Sequence, residues 1–160
     1  MRQICEKYLA EGKDVYFAFM DLEKAYDRVD RDAMWNVLRL YGVGGKLLQA
    51  VKSLYVDSKV CVRVGSEMSE WFPVRVGLRQ GCVMSPWLFN LFIDGLVREV
   101  NARVLGRGLG LVDERDDMWE LNQLLFADDT VFVADSEEKL CRLVTEFGRV
   151  CETKVESECW

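Results

Sequence analysis

Asp21 closes the apolar run Val15-Tyr16-Phe17-Ala18-Phe19-Met20, and Asp128-Asp129 stands between two further apolar runs, Leu121 to Phe126 and Thr130 to Ala134. If those runs are strands of one sheet, three carboxylates meet at its edge. Carboxylates clustered that closely repel one another and need cations. Hard divalent ions, Mg²⁺ above all, take one or two carboxylates together with substrate phosphate oxygens. Two such ions, about 3.5–4 Å apart, can activate an attacking hydroxyl and stabilise a leaving oxygen in phosphoryl transfer. The sequence has no His, which excludes a Ser-His-Asp or Cys-His nucleophile, a zinc site with His ligands and a histidine pH switch. Taken alone, Asp-Asp between two strands is ordinary turn chemistry, and more than a hundred residues separate Asp21 from the pair. The chemistry therefore depends on whether the strands are neighbours.

The elements that must position these residues can be read from periodicity and turn residues. Ile4 to Leu9 reads as the end of a helix and Val15 to Met20 as a buried strand. Asp30 is a good N-cap for a helix over 31–41, in which Met34, Val37, Leu38 and Tyr41 recur at helical spacing. A second helix carries Leu47, Leu48, Val51, Leu54 and Tyr55. Val60, Val62 and Val64 alternate with Cys61 and Arg63, and Gly65-Ser66 turns the chain into a partner strand near Trp71 to Val74, giving a two-stranded ribbon. Gly77 to Cys82 is a glycine-flanked loop, and Ser85-Pro86 opens a long core helix with Ser as N-cap and Pro at the first helical position. Gly106 to Gly110 breaks that helix, and Asp113 to Asp117 reads as an exposed loop. Leu121 to Phe126 and Thr130 to Ala134 form a hairpin through Ala127-Asp128-Asp129, and a last helix, capped by Ser136, runs over 137–151. This order predicts an α+β domain with an antiparallel sheet.

The 160 residues, 50% hydrophobic and 30% charged, are one soluble domain's worth of chain with apolar side chain enough for a core. The net charge of -6 argues at first against a nucleic-acid partner. It is unevenly placed: residues 1–58 carry nine basic and nine acidic groups, 59–110 seven and four, and 111–160 five and fourteen, so the acidity belongs to the last third. The cysteines at 5, 61, 82, 141, 151 and 159 show no Cys-x-x-Cys pair. They read as reduced, partly buried thiols and suit an intracellular compartment, whether nucleus or cytoplasm. No charged-then-apolar leader follows Met1, and secretion and membrane spanning are disfavoured. The Phe and Trp residues read mostly as core.

Three stretches, in order, resemble the central motifs of reverse transcriptases: Phe19-Met20-Asp21-Leu22-Glu23-Lys24-Ala25-Tyr26-Asp27-Arg28-Val29, then Arg79-Gln80-Gly81-Cys82-Val83-Met84-Ser85-Pro86, then Phe126-Ala127-Asp128-Asp129. The likeness is to the polymerases of non-LTR, LINE-type retrotransposons and runs from about Gln3 to about Glu152. It implies a right-hand polymerase palm with an antiparallel sheet and packed helices, part of the fingers and no thumb. The palm and partial fingers would occupy 1–152, with a divergent tail at 153–160, as in a domain truncated at both ends.

The resemblance also implies roles. Asp21 and Asp128 would be the main Mg²⁺ ligands, Asp129 a supporting carboxylate, and the backbone carbonyl of Leu22 a further metal oxygen; two ions are implied, with Mn²⁺ able to replace Mg²⁺. Tyr26 matches the family's steric gate, whose ring lies under the nucleotide sugar and rejects a 2'-hydroxyl by occupied volume. Gln80 and Gly81 would meet the incoming deoxynucleoside triphosphate, with Arg79 near phosphate. The implied partners are an RNA template and a DNA primer, and the implied activity is RNA-directed DNA polymerisation onto a primer 3'-hydroxyl. Oligomeric state is not indicated. The alternative is a catalytically inactive retrotransposon remnant with at most residual metal or RNA binding. A two-metal nuclease leaves the glutamine-glycine loop and the gate-like tyrosine unexplained.

Overall fold

The computed structural model describes residues 1–104, 109–112, 118–126 and 129–154. Two compact units divide the chain, one formed by Met1–Glu23 with Asp94–Thr153 and the other centred on Lys24–Ile93.

In the first unit a three-stranded antiparallel sheet has the order β1-β9-β8, with β1 at Tyr16–Asp21, β8 at Gln123–Phe126 and β9 at Asp129–Ala134. The strand that ends on Asp21 and the strand that begins on Asp129 are therefore neighbours, which the sequence left conditional. Successive residues point to opposite faces. Phe17, Phe19 and Asp21 share one face with Val133, Val131 and Asp129, their cross-strand partners. At one end of this face Tyr8, on helix α1 (Arg2–Ala10), packs with Val133, Phe17 and Val131. At the other end the face is open, and Phe19 is 71% exposed. The opposite face is sealed: Phe132 is fully buried and its ring meets that of Phe147 edge-on at 5.1 Å. Phe147 belongs to α5 (Glu137–Lys154), whose Leu143, Phe147 and Val150 recur at helical spacing and are all buried. The Ser136 hydroxyl accepts from the Lys139 backbone N–H and starts that helix.

The second unit holds α2 (Arg31–Leu40), α3 (Gly45–Ser53) and the N-terminal part of α4 (Ser85–Arg103). The Asp30 side chain accepts from the Ala33 backbone N–H, the expected cap, and Met34, Trp35, Val37 and Leu38 are buried. Leu88, Phe89, Phe92 and Ile93 are buried on α4.

Several expectations need correction. The run ending on Asp21 is not a buried strand, because β1 lies at the edge of the described sheet and leaves Phe19 and Tyr16 exposed. The ribbon is divided into two short pairings, β2 (Lys59–Val60) with β5 (Phe72–Pro73) and β3 (Arg63–Val64) with β4 (Glu67–Met68). The Ser69 side chain intervenes, accepting from the Val62 N–H. Leu47 and Leu54 are exposed, so only Leu48, Val51 and Tyr55 of the α3 stretch are buried. The segment 121–126 is not one strand: β7 (Met118–Leu121) pairs with β6 (Leu109–Val112), a hairpin that glycines at 108 and 110 concealed, and Asn122 separates β7 from β8. Trp71 and Trp87 are exposed at 63% and 71%, exceptions among Phe and Trp residues that include the buried Trp35, Phe89, Phe92, Phe132 and Phe147. Cys5 and Cys141 are exposed and Cys61, Cys82 and Cys151 half-buried, all as free thiols. The expected loop at 113–117 lies outside the described residues, as does most of the tail at 153–160. Among the described residues, no helix is long and apolar enough to cross a membrane.

Candidate active site

Asp21 and Asp129 are direct cross-strand partners. In an antiparallel pair, opposed residues have Cα atoms about 4.5–5.5 Å apart and side chains on the same face. Both carboxylates are exposed. Asp129 is not a turn residue, as expected, but the first residue of the central strand, with Asp21 opposite on one side and Phe126 on the other. Like charges directly opposed on a sheet are destabilising, by roughly 0.2–1 kcal/mol, and a cation between them reverses that sign. Two exposed hard oxygen donors on one face fit a divalent ion such as Mg²⁺. Asp128, the other expected ligand, lies outside the described residues. Among the described residues no three acidic, cysteine or histidine side chains cluster as a metal site.

In the second unit, Tyr26, Arg79, Gln80, Gly81, Cys82 and Ser85 line a cleft of about 420 Å³. Four of these are the residues expected to meet the nucleotide, and the fold brings them together. The half-buried Tyr26 ring stacks on Phe89 of α4, centroids 4.5 Å apart and planes inclined by 18°. The helix after Pro86 thus supports the tyrosine. The Ser85 hydroxyl turns back and donates to the Arg79 carbonyl at 2.6 Å, a tether within the loop where a helix cap was expected. Arg79 is drawn towards the segment that follows α3: its guanidinium donates to the Ser58 hydroxyl at 3.3 Å and lies 5.9 Å from the centre of the Tyr55 ring. The Cys82 thiol is held below its ordinary pKa, chiefly by a backbone hydrogen bond from Met84, with Ser85 helping and burial opposing.

What fixes the loop was not legible as function. The Leu78 N–H donates to the Tyr26 carbonyl at 2.8 Å and the Gly77 N–H to that of Val29 at 2.9 Å. Gln80 Nε2 donates to Asp27 Oδ1 at 2.8 Å, so the residue after the tyrosine holds the head of the glutamine. Arg31 donates to the carbonyls of Gly77, Val74 and Val76 at 2.9, 3.0 and 3.0 Å. The sequence does carry a signal for Arg31, a cation at the first position of a helix, where the macrodipole disfavours positive charge. Such a residue needs another reason to be there.

The family described as reverse transcriptase (RNA-dependent DNA polymerase) matches residues 1–155. The chain belongs to this family. Its relatives include proteins of non-LTR retrotransposons, as the motifs implied. The Pol polyprotein of a type-1 R2 retrotransposable element of Popillia japonica is 27% identical over 127 residues, 79% of this chain and 20% of that protein. The uncharacterized 149 kDa protein of transposon TX1 from Xenopus laevis is 29% identical over 123 residues, 77% of this chain and 9% of that protein. The chain thus spans a fifth or less of the length of these relatives. Among solved structures, apo telomerase from Candida tropicalis, truncated from the C-terminal domain, matches with a TM-score of 0.59 and 14% identity, covering 91% of this chain and 31% of that one. At that identity the likeness concerns the fold: the α+β palm of a reverse transcriptase. Enzymes of the family use divalent metal ions, a nucleic-acid template and deoxynucleoside triphosphates.

Proposed function

We propose that this chain is the catalytic palm of an RNA-directed DNA polymerase, extending a DNA primer along an RNA template, in which Asp21, Asp128 and Asp129 hold two Mg²⁺ ions. The pairing of Asp21 with Asp129 across β1 and β9 carries the reading, because it gives two hard anionic ligands on an open face with no histidine needed. The backbone carbonyl of Leu22, next to Asp21, is the further oxygen proposed. Bound divalent ions would supply activation of the primer hydroxyl and neutralisation of the charge that develops on the phosphates. The chain's own contribution is to hold the carboxylates in register and to receive the nucleotide. For the second task Tyr26, stacked on Phe89, would lie under the sugar and exclude a 2'-hydroxyl by volume, and Gln80 and Gly81 offer an amide and a backbone with open space beside it. Arg79 stands at the same cleft as a phosphate partner.

Primer extension by the purified chain with Mg²⁺ or Mn²⁺, wild type against Asp128→Asn, tests the proposal. Extension that is lost in the variant supports it. Equal silence of the two, with the folds intact, refutes polymerase activity by this chain and leaves the inactive-remnant reading.

A further inference from the structure

We infer that Arg31 is a positioning residue for nucleotide binding: from the start of α2 it fixes the Val74–Gly77 backbone and so sets where Arg79 and Gln80 stand in the cleft beside Tyr26. The inference rests on the reading of that cleft as the nucleotide site.

Among the described residues, the half-buried Arg31 guanidinium donates only to main-chain carbonyls. Nε reaches the Gly77 carbonyl at 2.9 Å, Nη2 that of Val76 at 3.0 Å, and Nη1 that of Val74 at 3.0 Å and that of Tyr55 at 3.5 Å. Three of the four carbonyls belong to the four residues just before Leu78-Arg79-Gln80-Gly81. A guanidinium is a planar fork with donors in fixed directions, so it fixes the orientations of these peptide groups as well as their distances. Burial draws its pKa below the ordinary arginine value, with Tyr55 opposing and Arg79 adding to the effect. Among the described residues no carboxylate pairs with the guanidinium, and a partly buried cation so placed is costly, which sets it apart from a surface arginine.

The same guanidinium lies 5.0 Å from the centre of the Tyr55 ring, and Arg79 lies 5.9 Å from that centre. Removing Arg31 therefore frees the backbone leading into Arg79 and takes one of the two cations from the Tyr55 ring, which Trp35 still holds edge-on at 5.7 Å. Together with Leu78 on Tyr26, Gly77 on Val29 and Gln80 on Asp27, the segment 26–31 holds the loop from both ends. The tyrosine and the glutamine are thereby tied to the same segment.

The test uses the full 160-residue chain as wild type, Arg31→Lys and Arg31→Met, with dTTP plus Mg²⁺ as the probe. Amide hydrogen exchange is read on peptides covering 77–84, and β1 and β9 serve as internal references; dTTP affinity is read by calorimetric titration. In Arg31→Met, exchange over 77–82 is expected to rise about tenfold or more with β1 and β9 unchanged, and dTTP affinity to fall about tenfold, the scale of one charge-assisted hydrogen bond. Lysine keeps the charge but not the fork, so Arg31→Lys is expected to loosen the same peptides and to recover only part of the affinity. It carries the test if the methionine variant does not fold. Unchanged exchange over 77–82 overturns the inference. So does a loosened loop with undiminished dTTP affinity, which would reduce Arg31 to local packing. If the wild type itself binds no dTTP, the nucleotide reading of the cleft fails and the positioning role fails with it, whereas equal binding by wild type and variants sinks the inference alone.

Discussion

Gly77 and Gly81 have nearly the same left-handed backbone, φ +75° and +77°, yet different surroundings, and replacing each by Ala separates two physical costs. A Cβ at Gly81 would meet nothing within 4 Å, whereas at Gly77 it would stand 2.5 Å from the Asp27 carbonyl oxygen and 2.8 Å from its carbon and Cα. Both alanines carry the conformational cost of that backbone region, about 1–2 kcal/mol. Only Gly77→Ala adds overpacking, roughly 1–3 kcal/mol. The obstacle is backbone and is pinned: Leu78 N–H donates to the Tyr26 carbonyl and Gly77 N–H to the Val29 carbonyl, on either side of Asp27. It has no rotamer into which to retreat. The expected losses are therefore about 1–2 kcal/mol for Gly81→Ala and about 2–5 kcal/mol for Gly77→Ala on these scales. At roughly 2–4 °C per kcal/mol for a chain of this size, a 3 kcal/mol loss (about the middle of that range) lowers Tm by ~6–12 °C. Scanning calorimetry or urea melts followed by tryptophan fluorescence measure the pair. Equal losses would refute the close approach of the loop to Asp27, and a loss below about 1 kcal/mol in both would refute the conformational argument as well.

Replacing Asp21 by Asn removes one of two opposed carboxylates; the metal-free protein at low salt is expected to gain about 0.2–1 kcal/mol while losing the rise in Tm that Mg²⁺ gives the wild type. A thermal shift with and without Mg²⁺ checks this, and an undiminished Mg²⁺ response counts against Asp21 as a ligand. Phe147→Ala, which empties a fully buried site against Phe132, is expected to cost about 3–5 kcal/mol in urea unfolding; a loss under about 1.5 kcal/mol contradicts the packing described. Cys82, whose pKa is lowered, is expected to react with iodoacetamide at pH 8 at least about tenfold faster than Cys151, whose half-buried thiol is pushed up to about 11 by burial. Peptide mapping of the folded protein reads the order, and a faster Cys151 refutes the assigned environments.

The parts of this fold that the sequence revealed are those in which a side chain reports its own surroundings. Asp30 as a cap, Ser136 as the start of the last helix and the antiparallel pairing of the runs on either side of Asp128 are local statements; the structure places both caps as read and keeps the pairing, with strands Gln123–Phe126 and Asp129–Ala134. The adjacency of β1 and β9 is not local, and only the ordered motifs suggested it. The apolar run ending on Asp21 misled because apolarity was read as burial. Phe19 is on the face that carries the aspartates, and that face must stay open if a polymer is to reach them. The β6–β7 hairpin was missed because glycine and charge were weighted as breakers, although cross-strand pairing can override both.

Arg31 shows a different limit. Its partners are carbonyl oxygens at positions 55, 74, 76 and 77, and every residue in a chain has a carbonyl, so the residue types at those positions contain no trace of the bond. A carboxylate partner would at least have left an acidic residue to notice. The only mark in the sequence is the misfit of a cation at a helix N-terminus. The same reasoning bears on the net charge of -6. Asp21 and Asp129 contribute to it, but as opposed charges on an open face they count as demand for a cation more than as repulsion of a phosphate. Arg31, by contrast, contributes a positive charge already committed to the protein's own backbone. Formal charge is thus a poor measure of what either unit offers a nucleic acid, and the arrangement of each charge, paired, opposed or spent on carbonyls, decides it.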